Sequence, residues 1–243
     1  IINDSGVKLM YAENWVYSPA YNKLVRLLEQ SRGKIIDIRA EESHSGSHAE
    51  HSKRWKTSGG GALLRLGAHP VGGALHLKYL EGIKKYDKPI KPRSITAEVS
   101  YNYKMPEIKE SEVYIKKGWV DVEDWGMIVI NFTDNSKAVV ISSDGVLGGI
   151  KNKMSVYTPN SAVNIDMSHN NTVKAFAPED KVFGDEFITE KIETKAGWTY
   201  PSADEDWMRG YSQEMKDFIE CILEERPPQS GWYLAEETLR VIY

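Results

Sequence analysis

Apolar positions recur at helical spacing early in the chain, where Tyr21, Leu24, Val25 and Leu28 fall on one face. Ser18 is a good N-cap, Pro19 suits the first helical position and Gly33 suits the closing turn, so a helix is predicted between them. Residues 34–42 then alternate, Ile36, Ile38 and Ala40 against Asp37, Arg39 and Glu41, as a half-buried strand does. After the polar stretch "SHSGSHAEHSKRWKTSGGG", helical spacing returns and runs to Leu80. Residues 94–103 alternate again, and "GMIVINF" (126–132) and "KAVVIS" (137–142) flank Asp134-Asn135 as a hairpin. "KMSVYT", "AVNIDM" and "TVKAFA" read as further short strands. A helix is predicted from about Asp206 to Glu225, with Met208, Tyr211, Met215, Phe218, Ile219 and Ile222 on its apolar side. Pro227-Pro228 stop it, and a last helix begins near Tyr233. At the front, Ile1 to Asp4 read as a helix end, Ser5-Gly6 as a turn and Val7 to Ala12 as a strand.

Consecutive strands joined by short turns predict an α+β fold, a large and mainly antiparallel sheet with helices on one face. "GMIVINF" and "KAVVIS" carry apolar residues on both sides of their strands, which favours burial of both faces. A homodimer or homotetramer packed sheet to sheet is therefore expected.

Composition narrows the class. The chain has 243 residues, 41% hydrophobic and 27% charged, as in an ordinary globular protein. A net charge of −4 gives no electrostatic footprint for nucleic acid or an anionic membrane. Cys221 is the one cysteine, so no internal disulfide forms and a reducing, cytoplasmic setting is expected. No apolar run approaches the ~20 residues that span a bilayer, and no basic-then-apolar signal segment opens the chain. The first residue is not Met and the last helical pattern stops abruptly, so a fragment or excised domain is expected.

Chemistry concentrates in "GGGALLRLGAHP", residues 59–70. The glycines lack the G-x-G-x-x-G spacing and a Walker lysine, which favours close packing over phosphate binding. On one helix Arg65 and His69 would share a face about 6 Å apart. His69 suits proton exchange near neutral pH, and Pro70 would bend the helix beside it. His44, His48 and His51 near Glu41, Glu42 and Glu50 match no closed zinc spacing, and no metal site is expected. Asp121, Glu123 and Asp124 read as a charged approach to a strand. The sequons at Asn3, Asn131 and Asn170 carry little meaning without a secretion signal. Cys221 reads as an inert packed thiol, and no Ser-His-Asp nucleophile pattern occurs.

Together, "AENWVYSPAYNKL…GKIIDIRAEESHSGSH…GGGALLRLGAHPVGGALHL", "VEDWGMIVINFTDNSKAVV" and "GYSQEMKDFIECILEERPPQSG" resemble the second half of Gfo/Idh/MocA-family oxidoreductases. The resemblance spans nearly the whole chain, its most specific part being Gly-Gly-Gly-Ala-Leu-Leu with Gly67 and His69. It implies residues 1–13 as the remnant of an N-terminal Rossmann domain. Residues 14–243 would be a glyceraldehyde-3-phosphate-dehydrogenase-like C-terminal domain for substrate binding and oligomerisation. It implies NAD or NADP, bound mainly by the preceding domain, and a sugar, polyol or hydroxy or uronic acid as substrate. His69 matches the catalytic histidine. Asn14 and Trp15 fall beside the nicotinamide, and Tyr17, Arg54, Trp55 and Arg65 on the substrate side.

Arg65 departs from the pattern, which places Asp there. A cation one turn before His69 would lower the pKa of His69 and could grip an anionic substrate. The departure leaves open a non-catalytic binding or assembly module, and the scaffold also admits an NAD-dependent lyase or glycosidase working by transient oxidation.

Overall fold

The computed structural model describes residues 5–168 and 171–243. Ile1 to Asp4, and with them the sequon at Asn3, lie outside the described residues, as does Asn170.

A 3-10 turn at Asn14–Tyr17 leads into α1, Pro19–Ser31. Tyr21, Leu24 and Leu28 are buried along one side of α1, as their spacing requires. Its ends differ from expectation. The Ser18 hydroxyl donates to the Met208 carbonyl instead of capping, and Arg32, at φ 55°, takes the left-handed closing position in place of Gly33. Gly33 serves close approach, since a Cβ there would lie 2.3 Å from Asn160 Oδ1.

Strand β1, Asp37–Ser43, runs at the centre of the sheet. Then come the short helices α2 (Trp55–Ser58) and α3 (Ala62–Arg65), followed by the long α4 (Ala68–Tyr86). Strand β2 is Pro92–Ser100, α5 is Pro106–Glu110, β3 is Trp125–Phe132 and β4 is Lys137–Ser143. Strands β5 (Lys151–Thr158) and β6 (Ser161–Asp166) complete a six-stranded sheet of order β2-β3-β4-β1-β5-β6. Among the described residues only the β1–β4 pair is parallel. Of "TVKAFA" only β7, Ala175–Ala177, is a strand, and it pairs with β8, Gly197–Thr199, in a separate ribbon. Helices α6 (Glu205–Arg209), α7 (Tyr211–Leu223) and α8 (Trp232–Ile242) close the chain.

The fold is the expected α+β layer. Ile38 and Ala40 of β1, Ile128 and Ile130 of β3, Val140 of β4 and Met154 and Val156 of β5 bury one face with Tyr21, Leu24, Val71 and Ala74 of the helices. On the opposite face Met127, Val129, Val139 and Ile141 form a half-exposed apolar strip, Val129 opposite Val139 and Met127 opposite Ile141. Among the described residues no helix is long and apolar enough to cross a membrane.

Three predicted elements change. Val7 to Ala12 form no strand, because among the described residues no strand runs beside them to complete a ladder; the Tyr11 N–H bonds the Ser230 carbonyl instead. The helix predicted through residues 59–80 breaks at Leu66-Gly67. There a Cβ would meet the Leu63 carbonyl oxygen at 2.4 Å and Ser142 Oγ at 2.9 Å. Pro70 therefore lies in the first turn of α4, where its lack of an N–H costs nothing, and it makes no bend. The helix predicted over 206–225 is likewise split at Gly210, at φ 93°. Its apolar stripe points outward: Tyr211, Met215, Ile219 and Ile222 are exposed, while Glu214 and Cys221 are buried.

Candidate active site

His69 is the second residue of α4, and Nδ1 lies 3.0 Å from Oε1 of Glu13. The Glu13 side chain reaches it by lying over Gly72, where a Cβ would come within 2.9 Å of Oε2. Gly72 follows His69 by three positions and shares its face, so the missing side chain clears the carboxylate's path. The same Oε1 also accepts the Trp15 N–H at 3.4 Å, which ties the dyad to the 3-10 turn. The Trp15 ring stacks on the imidazole, 14° from parallel with centroids 6.4 Å apart.

Two further carboxylates act on this histidine. Glu42 is at the end of β1, where the inward alternation Ile38, Ala40 places it on the buried face. Burial pushes its pKa up to about 7, opposed by the charges of His69 and Arg209. Glu214 of α7 is also pushed up to about 7, by burial and by Glu13. Burial works to lower the His69 pKa, but the Glu13 and Glu42 carboxylates outweigh it and raise it to about 10. Tyr11, partly buried beside Glu13, is held in its neutral form. The remaining cation, Arg209, is paired with Glu190 and with Glu205, the latter at 3.4 Å.

Arg65 belongs to another cluster. The helix break removes the shared face, and its guanidinium pairs with buried Asp144 and lies over the Trp119 ring, 4.9 Å from the centroid. Burial raises Asp144 to about 6, against the pull of Arg65. His44, 3.7 Å from Asp144, is lowered to about 3 by burial and by Lys191 and Arg65. The expected lowering of the His69 pKa by Arg65 is thus reversed: carboxylates surround the histidine, and the arginine is engaged elsewhere.

The other predicted residues separate in the same way. Tyr17 is buried; its hydroxyl donates to Asp217 Oδ2 at 2.8 Å and accepts from the Ser230 N–H, so it ties α7 to the segment that precedes α8. Asn14 is buried, its amide donating to the Arg209 carbonyl at 2.9 Å. Trp15 is buried beneath His69. Arg54 and Trp55 are exposed, Trp55 meeting the Tyr243 ring edge-on. Asp121, Glu123 and Asp124 are caps. Asp121 accepts the Trp55 N–H, Glu123 the Gly61 and Leu63 N–H groups, and Asp124 those of Asn102 and Tyr103. The glycine run is therefore architecture: Gly59 takes φ 78°, and a Cβ on Gly61 would lie 1.9 Å from the Glu123 carbonyl oxygen.

Sequence reasoning missed Glu13 and Glu214, and it named Glu42 only among acids near a rejected metal cluster. For Glu42 a signal existed, an acid in phase with Ile38 and Ala40. The other two are brought in by tertiary packing alone.

No protein-family model matches the chain, and no curated protein is similar to it. Solved structures do share its fold. GenD2 from gentamicin A biosynthesis, solved in complex with NAD, superposes with a TM-score of 0.77 at 22% identity, over 99% of this chain and 61% of its own. A probable dehydrogenase from Thermotoga maritima gives 0.69 at 18%, over 99% and 62%. Myo-inositol 2-dehydrogenase from Lactobacillus plantarum gives 0.66 at 15%, over 95% and 59%. The chain spans about three fifths of the length of these structures, and the likeness is one of fold.

Proposed function

We propose that this chain is the substrate-facing domain of an NAD(P)-dependent dehydrogenase acting on a hydroxyl of a carbohydrate-like molecule. The observation that carries the reading is the His69–Glu13 dyad beside Trp15, on a fold shared with proteins named as dehydrogenases. With Nδ1 turned to Glu13, Nε2 is the nitrogen left for substrate. Raised to about 10, His69 is an imidazolium at neutral pH and suits proton donation to the alkoxide of a carbonyl being reduced. In the oxidative direction the neutral imidazole takes the hydroxyl proton, and Glu13 stabilises the cation that results. The nicotinamide supplies the hydride acceptor or donor. The described residues do not fit a dinucleotide's phosphates, since the Gly61 N–H is bound to Glu123 and the Asn14 amide to Arg209. The reading therefore assigns the dinucleotide mainly to a further domain. Arg54 and Trp55, exposed, are left as substrate contacts, and the pairing of Arg65 with Asp144 withdraws the main support for an acidic substrate.

The test is NAD(P)-linked turnover of a polyol and amino-polyol panel by the full-length protein and its His69→Ala variant. A loss of about 100-fold or more is expected. Turnover within a few-fold of the parent would overturn the role of His69. The half-exposed strip of Met127, Val129, Val139 and Ile141 supports a companion proposal, a second copy packed on this sheet face.

A further inference from the structure

Among the described residues the charges around His69 do not balance. Five carboxylates (Glu13, Glu42, Glu190, Glu205 and Glu214) stand against two cations, His69 and Arg209. Arg209 is taken by Glu190 and Glu205, which leaves one imidazolium for three acids. Acceptor capacity is also left over. Glu13 uses Oε1 on His69 and Trp15, while Oε2, with no exposure, has no hydrogen-bond partner. Glu42 and Glu214 as residues are 6% and 7% exposed, and no described residue hydrogen-bonds either carboxylate. Beside them the indole N–H of Trp15, a residue 1% exposed and stacked on His69, is unpartnered too. The Arg209 Nε–H, ion-paired to Glu205 at 3.4 Å, likewise makes no hydrogen bond. Buried polar groups ordinarily find partners, so this concentration of unmet acceptors and two unmet donors marks a place built for a ligand.

The ligand's chemistry follows from the groups that await it. An anion would meet three carboxylates, and the arginine that could have received it is bound to Asp144. A metal ion fits no better, since among the described residues no group of three His, Cys, Asp or Glu side chains could hold one. Carboxylates too widely set for one ion suit an organic cation whose N–H and O–H groups reach them separately. A neutral polyol would satisfy acceptors but leave the buried negative charge uncompensated. An ammonium does both, through charge-assisted hydrogen bonds.

We propose that this site takes an amino-bearing polyol or sugar, its ammonium and hydroxyl groups shared among Glu13, Glu42 and Glu214 while a neighbouring hydroxyl faces His69. The proposal rests on the reading of the His69 face as the substrate site, and it can be tested without any turnover.

Isothermal titration of the full chain at pH 7.5 compares D-glucamine with D-sorbitol, and D-glucosamine with D-glucose; each pair differs by one amine in place of a hydroxyl. The aminated member of at least one pair is expected to bind about tenfold tighter or more. That preference should fall below about threefold in Glu42→Gln/Glu214→Gln, whose near-isosteric side chains keep the fold, as circular dichroism would verify. Single Glu42→Gln and Glu214→Gln variants serve if the double variant unfolds. Equal affinities, tighter binding of the neutral members, no binding of either pair up to 50 mM (roughly the weakest affinity worth calling specific), or a preference that survives the substitutions would each overturn the proposal. Tight binding of the amine here with no hydride transfer by the full-length protein would sink the dehydrogenase reading and leave this one standing. Turnover confined to neutral polyols would do the reverse.

Discussion

His69 Nδ1 lies 3.0 Å from Glu13 Oε1, so a histidine at the start of a long helix is held by a carboxylate 56 residues earlier in the chain. The contact sets the protonation state of the site. Glu13→Gln keeps the shape of the acceptor and removes its charge, so the His69 pKa should fall from about 10 by about 1–3 units. Proton NMR titration of the His69 ring measures it directly. An unmoved titration would mean that Glu13 does not act on the imidazole.

The same contact links stability to pH. His69 ionises at about 10 in the folded chain and near 6.5 when unfolded, so the native state keeps a proton that the unfolded state releases. Its contribution is complete below pH 6.5 and is lost as pH rises towards 10. Glu42 and Glu214, raised to about 7, also favour the protonated native state, but their contribution has largely gone by pH 7. Between pH 7 and 9 the chain should therefore lose about 2–3 kcal/mol, seen in urea unfolding, and Glu13→Gln should flatten that slope.

Arg65→Met removes the partner of buried Asp144 while keeping the bulk over Trp119. A loss of about 3 kcal/mol is expected, because a buried carboxylate is left uncompensated. The His69 titration should stay where it was. A shift of the histidine on this substitution would show that the two clusters are coupled after all.

Gly61→Ala places a methyl group 1.9 Å from the Glu123 carbonyl oxygen, against backbone that cannot yield cheaply. It should destabilise the chain by about 2 kcal/mol or more and loosen the start of α3, which Glu123 caps. Hydrogen exchange at Leu63 and Arg65 would register the loosening.

For the sheet face, Val129→Glu/Val139→Glu puts two facing acids into the half-exposed strip. If a second copy packs there, light scattering at micromolar concentration should show an oligomer for the parent chain and a monomer for the variant. A monomeric parent would remove this interface.

Much of the architecture was legible from local pattern. Period-2 alternation found β1, β3 and β4, and the periodicity of Tyr21, Leu24 and Leu28 found α1, because both depend on neighbours in the chain. Pattern failed where a close approach overrode it. Gly67 and Gly210 interrupt helices whose apolar spacing runs on, since Leu63 and Ser142 in one case and Asn14 in the other leave no room for a side chain. The outward-facing stripe of α7 was invisible for a related reason. Spacing says which residues share a face, and only packing says which way that face turns.

The site divides along the same line. The sequence by itself singled out His69 and predicted a mainly antiparallel sheet with helices on one face to carry it, since alternation and turn chemistry are written in adjacent residues. Only the tertiary structure decided what surrounds that histidine. It broke the helix that would have set Arg65 beside His69 and paired the arginine with Asp144. It then drew in Glu13 from the first turn, Glu42 from the central strand and Glu214 from a late helix. The charge of a site is the sum over groups that meet in space, and sequence spacing carries no record of which groups meet across tens of residues.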